Sequence, residues 1–207
     1  MTTPVPPASP GRGPLIVVAG PSGVGKSTLV EALLRATDLP LRRAVTATTR
    51  APRPGERPGV DYHYWAADEF RAAIDAGSML EYAVVHGADY YGTPLSEVEP
   101  HRAAGLAVVL VIDVQGAENV RRLDPGGHLS VFVLPPCEAA LEARLRGRGS
   151  EDEAKVQRRL QTARAELARA GEFDARIVND DLGEAVAALE AVVRNELERR
   201  FETRQTS

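Results

Sequence analysis

Four short apolar runs recur along the chain, and helical patterns separate them. The runs occupy Leu15–Ala19, residues 106–112, residues 129–134 and residues 176–178. Short apolar runs bounded by turn signals are typical of strands that are buried on both faces. Because strands of this kind alternate with helices in α/β proteins, we expect an α/β fold with a mostly parallel sheet at its core.

Apolar residues at helical spacing predict the helices between these strands. The first helix follows the first strand and turns Leu29, Leu33 and Leu34 to one side. The other predicted helices cover residues 68–77, Glu138–Arg146, residues 152–170 and a last segment from about residue 183 past residue 197.

The segment between the first helix and the second apolar run has a different texture. Residues 45–49 are β-prone, residues 52–58 are rich in turn formers, and Tyr62, Tyr64 and Trp65 predict another short strand. We therefore expect an inserted, mainly β subdomain over residues 41–98. Residues 14–40 and 99–207 would form the core, with a helical lid at about residues 136–170. Residues 1–13 contain four prolines and hardly any large apolar residue, which predicts a disordered tail.

Composition narrows the range of partners and compartments. The 207 residues carry a net charge of -4, so the chain offers no basic coat for nucleic acid or for an anionic membrane. No run is long and apolar enough for a membrane span, and the first residues lack the core of a signal peptide. Cys137 is the only cysteine, which excludes an internal disulfide. We expect a cytoplasmic protein with no structural metal site, and no obligate protein partner is evident.

A complete phosphate-loop motif lies between the first strand and the first helix. GPSGVGKS at residues 20–27 fits G-x-x-x-x-G-K-[ST] at every fixed position, although a plain glycine-rich turn is the alternative. Glycines let successive backbone N–H groups point at phosphate oxygens, and the helix adds the positive end of its dipole. Lys26 would reach the terminal phosphates and Ser27 would hold Mg²⁺. The predicted triphosphate-binding residues are Gly20, Pro21, Ser22, Gly23, Val24, Gly25, Lys26, Ser27 and Thr28.

The segment from residue 41 to residue 57 is strongly basic within an acidic chain. Arg50 and Arg53 lie on a turn stiffened by two prolines, and guanidinium forks at a fixed separation suit a phosphate monoester. Tyr62 and Tyr91 would add hydroxyl donors. The alternative is a solvated basic face.

Two carboxylates follow apolar segments, where ligands bind at the ends of parallel strands. Glu81 follows Met79-Leu80, and Asp113 follows the run that ends at Ile112. A pair of ionised carboxylates only accepts hydrogen bonds and could select guanine, which offers adjacent N–H donors at N1 and N2. Alternatively, Asp113 would be associated with Mg²⁺ and Glu81 would be an exposed charge at a helix end.

A glycine- and arginine-rich stretch follows the predicted helix Glu138–Arg146. Arg144, Arg148 and Arg159 lie in or near it and could stabilise a transferring phosphoryl group when a lid closes. A solvated helical hairpin with ion pairs four residues apart is the alternative.

Taken together, these motifs resemble those of guanylate kinases over residues 15–199. The run GPSGVGKSTL at residues 20–29 carries the resemblance together with seven others: TTRAPRPGE at 48–56, DYHYW at 61–65, LEYAVV at 80–85, YYGTP at 90–94, VIDVQGA at 111–117, LRGRG at 145–149 and IVNDDL at 177–182. The resemblance implies a P-loop fold, ATP and GMP as substrates, Mg²⁺ as cofactor and direct in-line transfer of the γ-phosphoryl group of ATP.

The resemblance also implies a role for each matching residue. GMP phosphate would be held by Arg50, Arg53, Tyr62 and Tyr91, and guanine would be read by Thr46, Glu81, Thr93 and Asp113. The catalytic cations would be Lys26, Arg50, Arg144, Arg148 and Arg159, and Asn179 would contact ATP on its adenine side. The stretch at residues 87–90 is one residue longer than the usual form, so Tyr91 and Thr93 match only if that insertion precedes them.

Two other functions fit parts of this pattern. A binding module could keep the fold and recognise a phosphorylated peptide in the monophosphate pocket, but the intact phosphate loop favours an enzyme. A kinase for another phosphorylated acceptor, such as a sugar phosphate, could use the same scaffold, but Glu81, Asp113 and the hydroxyls of Thr46 and Thr93 favour a purine.

Overall fold

The computed structural model describes residues 11–85, 89–124, 126–147 and 153–205. Within these ranges the chain divides into two units, each described here by itself. The first contains the described residues up to Ile16 together with Pro40–His128, and the second contains Val17–Leu39 and the described residues from Leu129 onward. Strand β1 (Leu15–Ala19) begins in the first unit and ends in the second. The predicted tail lies outside the described residues up to residue 10.

The first unit contributes strands β2 and β7 to a larger sheet. Strand β2 (Leu41–Arg43) pairs in parallel with β7 (Ala107–Val111), whose side chains are buried except at its last position. This burial explains the continuous apolar run, since a strand covered on both faces has no polar side.

A separate four-stranded sheet in the first unit has the order β4-β3-β6-β5. These strands are β3 (Ala47–Thr48), β4 (His63–Tyr64), β5 (Met79–Val85) and β6 (Asp89–Pro94). Strand β6 runs antiparallel to both β3 and β5, and β4 runs parallel to β3. All four strands fall within the segment from residue 41 to residue 98.

Three helices accompany these strands in the first unit: α2 (Ala67–Asp75), α3 (Glu99–Ala103) and α4 (Val114–Leu123). Helix α2 buries Phe70 completely, against Ala47 and Met79 of the four-stranded sheet. Trp65 and Tyr90 pack their rings against Phe70 at centroid distances of 5.8 Å and 5.3 Å. The helix predicted near Asp68 is therefore present, and its apolar face anchors it to the sheet.

The second unit contributes strands β8 and β9 together with four α-helices in its described residues. Strand β8 (His128–Leu134) pairs in parallel with β9 (Ala175–Val178). The helices are α1 (Lys26–Ala36), α5 (Glu138–Arg146), α6 (Glu153–Ala168) and α7 (Leu182–Gln205). Among the described residues, no helix is both long and apolar enough to cross a membrane.

Helix α1 differs from its predicted apolar stripe at one position. Leu29, Val30 and Leu33 are its buried residues, and Leu34 is only half-buried. An α-helix turns by about 100° per residue, so Val30 lies beside Leu29 and Leu33 whereas Leu34 falls at the edge of that face.

Candidate nucleotide-binding sites

The phosphate loop in the second unit has the backbone that its glycines permit. Gly20, Gly23 and Gly25 adopt positive φ angles of 142°, 87° and 96°, a region that other residues rarely enter. A Cβ atom on Gly20 would lie 2.5 Å from the carbonyl oxygen of Val133, and one on Gly25 would lie 2.5 Å from Nδ2 of Asn179. Conformation and close packing therefore both require glycine in this loop.

The residues after the loop occupy the first turn of α1. Lys26 Nζ donates to the carbonyl oxygens of Gly20 and Pro21 at 2.6 Å and 3.0 Å, so its side chain folds back across the loop. Ser27 is half-buried and Thr28 is exposed. Both hydroxyl residues are at the positive end of the helix dipole, where a phosphate binds favourably.

Two of the predicted ATP-side residues converge on the carbonyl oxygen of Val24. Asn179 Nδ2 donates to this oxygen at 2.8 Å, and Arg144 Nη1 donates to it at 3.3 Å. Arg144 Nη2 also donates to the carbonyl oxygen of Asn179 at 3.0 Å. The buried amide of Asn179 thus supports the loop, while its contact with adenine stays a prediction.

Of the two remaining predicted arginines, Arg159 and Arg148, the structure describes only Arg159. Arg159 is buried, and its Nη2 donates to the Ser22 hydroxyl of the phosphate loop at 2.9 Å. Arg148 lies outside the described residues. Arg146 makes salt bridges with Glu142 at 2.8 Å and with Glu153 at 2.6 Å, as in the helical hairpin that the sequence left open.

In the first unit, Glu81 and Thr93 face each other across strands β5 and β6. They are register partners, both are buried, and Thr93 Oγ1 donates to Glu81 Oε1 at 2.7 Å. Burial raises the pKa of Glu81 to about 7, and the nearby negative charge of Asp113 adds to this rise, whereas hydrogen bonds from Thr93 oppose it. In the same register Tyr91 pairs with Ala83, and the roles that the resemblance implies for Tyr91 and Thr93 stay predictions. Residues 86–88 lie outside the described chain.

Asp113 caps helix α4 close to this pair. Its Oδ1 accepts a hydrogen bond from the backbone N–H of Gly116 at 2.7 Å. A Cβ on Gly116 would lie 2.7 Å from Glu81 Oε2, so the missing side chain makes room for the buried carboxylate. Thr46 is buried just before β3, and within the described chain its hydroxyl makes no hydrogen bond. Gly116 was not singled out from the sequence, although it lies in the motif VIDVQGA at residues 111–117.

The structure also brings together Arg50, Tyr62 and Tyr91. Arg50 Nε donates to the Tyr91 hydroxyl at 3.0 Å, and its Cζ lies 5.1 Å from the ring centroid of Tyr62. The rings of Tyr62 and Tyr91 meet edge to face at 6.0 Å. Burial raises the pKa of Tyr62, so its hydroxyl stays protonated as a donor. Arg53 is exposed, and in the described chain its side chain makes no hydrogen bond.

Glu56 contacts this group, although it is not among the residues predicted from the sequence. Its carboxylate accepts hydrogen bonds from Arg50 Nη1 and Nη2, both at 2.7 Å. It also accepts from the Arg53 backbone N–H at 2.8 Å and from the Tyr64 hydroxyl at 2.7 Å. The Arg50 bonds lower the pKa of Glu56 to about 2. The available signal was its position as the one acidic residue between residues 41 and 57.

The second unit fits a Mg²⁺ ion that arrives with a nucleotide. Mg²⁺ prefers oxygen ligands and commonly takes only one or two from the protein, with phosphates and water completing its shell. Ser27 offers such an oxygen beside the phosphate loop. Among the described residues there is no group of three or more His, Cys, Asp or Glu side chains that could hold a metal alone.

Comparisons with known proteins agree with this arrangement. The family model described as guanylate kinase matches residues 12–196. The chain is 48% identical over 186 residues to a guanylate kinase of Thermosynechococcus vestitus, covering 90% of this chain and 96% of that protein. It is 49% identical over 187 residues to one of Bifidobacterium longum, covering 89% and 95%.

A solved structure supports the same assignment. The crystal structure of guanylate kinase from Anaplasma phagocytophilum matches with a TM-score of 0.73 and 30% identity, covering 90% of this chain and 87% of that one. The expected α/β fold of the P-loop type is confirmed. The chain belongs to the guanylate kinase family of nucleoside monophosphate kinases.

Proposed function

We propose that this protein transfers the γ-phosphoryl group of ATP to GMP, and to dGMP, giving ADP and the corresponding diphosphate. The observation that carries the proposal is the buried Glu81–Thr93 pair beside the Arg50–Tyr91 pair. Tyr91 and Thr93 are two residues apart on β6, so their side chains share one face of the sheet. Residues that could bind a purine base and residues that could bind a phosphate on one face of the sheet suit a purine monophosphate.

The chemistry of Glu81 favours guanine over adenine. An ionised carboxylate accepts hydrogen bonds and donates none, so it pairs with the adjacent N–H groups at N1 and N2 of guanine. Adenine offers no such matched pair. A buried carboxylate that loses its partner is costly, and this cost increases discrimination against the wrong base. Thr46 and Asp113 are proposed as further contacts to guanine.

Arginine and tyrosine donors would hold the phosphate of GMP. Arg50, Tyr62 and Tyr91 supply a guanidinium and two hydroxyls, and the exposed Arg53 side chain would join them when the nucleotide binds. These donors neutralise charge on the acceptor, whose phosphate oxygen is already a nucleophile, so no general base is required.

The phosphate loop would bind the donor ATP. Lys26 would leave the carbonyls of Gly20 and Pro21 to reach the terminal phosphates, and Arg144, Arg148 and Arg159 would stabilise the transferring group. Ser27 would hold Mg²⁺, which would offset the negative charge of the phosphates. Direct in-line transfer needs only positioning and charge stabilisation from the protein.

Organisation and location complete the proposal. Residues 41–98 would form the GMP-binding subdomain, residues 14–40 and 99–207 the core, and about residues 136–170 a lid. Residues 1–13 would be a disordered tail. We also propose a cytoplasmic location, small-molecule substrates, and no nucleic acid, membrane or obligate protein partner.

A coupled assay of ADP release tests the function directly. GMP, dGMP, IMP, AMP and a sugar phosphate are compared with ATP and Mg²⁺ in excess. Turnover should be high with GMP and dGMP and low with AMP and the sugar phosphate. Binding of GMP without ADP release would instead indicate a binding module, and preference for the sugar phosphate would contradict the guanine assignment.

Replacement of the phosphate-loop lysine tests the donor side. Lys26→Ala should reduce kcat by roughly a hundredfold or more, as expected for the loss of one charge-stabilising donor. GMP binding measured by calorimetry should be unchanged, because Lys26 lies in the other unit. Retained turnover would contradict the role proposed for Lys26.

A further inference from the structure

We infer that Glu56 is a positioning residue, which fixes the Arg50 guanidinium in the orientation that receives the phosphate of the acceptor nucleotide. The inference rests on the proposed function. It extends that proposal to a residue that touches no substrate and acts through Arg50.

The hydrogen bonds of Arg50 divide its guanidinium into two faces. Glu56 takes the end of the fork, with one carboxylate oxygen on Nη1 and the other on Nη2. The side face keeps Nε on the Tyr91 hydroxyl and, within the described chain, one Nη2 N–H without a partner. That N–H and the proton of the Tyr91 hydroxyl are the donors left to bind a phosphate oxygen.

Glu56 also fastens the turn that carries Arg53. It accepts a hydrogen bond from the Arg53 backbone N–H at 2.8 Å, and its own N–H donates to the Arg53 carbonyl at 3.0 Å. Arg50 Nη1 in turn donates to the Ala51 carbonyl at 2.8 Å. One carboxylate therefore holds the Arg50 guanidinium and the backbone of the turn that carries Arg53.

Burial and a second donor hold the Glu56 carboxylate itself. The side chains of Arg50 and Glu56 are only 11% and 19% exposed, so solvent screens the pair less than an ordinary surface salt bridge. The Tyr64 hydroxyl donates to Glu56 Oε2 at 2.7 Å. Hydrogen bonding to Arg50 keeps the pKa of Glu56 near 2, so the carboxylate stays charged throughout the neutral range.

A competing account predicts the opposite sign. Glu56 could occupy the Arg50 fork as an internal substitute for phosphate, which GMP would have to displace. Removing its charge would then improve GMP binding, whereas the positioning role predicts a loss. The side face of Arg50 favours positioning, because one Nη2 N–H and the proton of the Tyr91 hydroxyl are donors that Glu56 does not use.

The test compares Glu56→Gln with the wild-type chain by calorimetry. Gln keeps the size of the side chain but cannot make the charged bidentate pair, so GMP affinity should fall roughly 10- to 100-fold. Guanosine affinity should stay within about twofold, since guanosine has no phosphate for Arg50 to hold. The KM for ATP should not change, while the KM for GMP rises.

Two further variants keep the test decisive. Asp68→Asn makes the same carboxylate-to-amide change in an exposed ion pair with Arg71 and should alter neither affinity. Tyr64→Phe retains the Arg50–Glu56 pair but removes the hydroxyl, so it should weaken GMP binding in the same direction by only about two- to fivefold. This variant reports on the inference even if Glu56→Gln does not fold.

The outcomes are distinct. Tighter GMP binding in Glu56→Gln would overturn the inference in favour of competition, and equal losses for GMP and guanosine would reduce Glu56 to a purely structural role. The inference would also be overturned if the wild-type chain bound GMP no more tightly than guanosine. A wild-type chain that neither binds nor phosphorylates GMP would instead overturn the proposed function, and the inference with it.

Discussion

At the scale of single residues, the most consequential group is a carboxylate whose charge is not guaranteed at neutral pH. Burial raises the pKa of Glu81 to about 7, and the nearby negative charge of Asp113 adds to this rise. Guanine binding requires the ionised form, because only that form leaves both oxygens as acceptors. Binding therefore has to compete with protonation, and the affinity for the base should depend on pH where most carboxylates no longer titrate.

The direction of this dependence can be measured with guanosine. A carboxyl with a raised pKa is protonated below about pH 7, so guanosine affinity should fall about tenfold between pH 8 and pH 6. Guanosine is used as the ligand in place of GMP, because the phosphate monoester of GMP itself titrates near pH 6. Titration calorimetry at several pH values measures the profile, and binding at pH 6 should release a proton.

Two variants identify the titrating group. Glu81→Gln should bind guanosine weakly at every pH, with a flat profile. In the wild-type chain the Thr93 hydroxyl donates to Glu81 and lowers the pKa of Glu81. Thr93→Val removes this hydroxyl, so the midpoint of the profile should move to higher pH. A wild-type profile that is flat from pH 6 to pH 8 would show that Glu81 is ionised throughout and that this assignment is wrong.

At the scale of elements, the strands that were predicted are those that coincide with apolar runs in the sequence. Strands β1, β7, β8 and β9 lie within one residue of the predicted runs. The side chains of β1, β7 and β8 are largely buried, as expected for strands covered on both faces, whereas only Ile177 is buried in β9. Strand β2 was not predicted. It reads Leu-Arg-Arg, since its side chains are only partly covered, and the resulting pattern is not apolar.

The residues of the candidate site that lie within short sequence motifs could be predicted from the sequence. The phosphate loop and the arginine turn are contiguous in sequence. Glu81 was predicted from its position after an apolar segment as well as from a family motif, and Thr93 was predicted from a family motif alone. The partner of Asn179 was not predictable, because it depends on which distant backbone the fold brings near. The partners of Glu56 are close in sequence, but which side chains meet depends on how the arginine turn folds. Asn179 reaches Val24 across 155 positions of the sequence.

The support that Asn179 gives to the phosphate loop can be tested by substitution. Asn179→Ala removes the amide that donates to the Val24 carbonyl and leaves only the longer bond from Arg144. A loop held less firmly binds ATP less well, so the KM for ATP should rise about 5- to 30-fold while the KM for GMP stays unchanged. Steady-state kinetics with each nucleotide varied measures both constants.

The matched control is another asparagine that donates to a backbone carbonyl. Asn119 Nδ2 donates to the Tyr82 carbonyl at 2.9 Å in the first unit. Asn119→Ala should not change the KM for ATP. Equal changes in both KM values for Asn179→Ala would indicate general loss of structure and would contradict a specific role at the loop.

At the scale of the whole molecule, the described contacts of each candidate nucleotide site lie within one unit. The guanine and phosphate contacts proposed for GMP come from the first unit, and the phosphate loop with Arg144, Arg159 and Asn179 comes from the second. Each nucleotide should therefore stabilise its own unit when it binds alone, by an amount set by its concentration relative to its Kd.

Hydrogen exchange read by mass spectrometry separates the two effects. With GMP alone, at about a hundred times its Kd, peptides covering β5, β6 and the Arg50 turn should exchange up to about a hundredfold more slowly. With ATP and Mg²⁺ alone, the same slowing should appear in peptides covering the phosphate loop and the start of α1. Guanosine should protect the Glu81–Thr93 peptides but leave the Arg50 turn unprotected, because it offers no phosphate to that turn. Protection of the phosphate loop by GMP alone, as strong as that of β5 and β6, would contradict the division of the two substrates between the units.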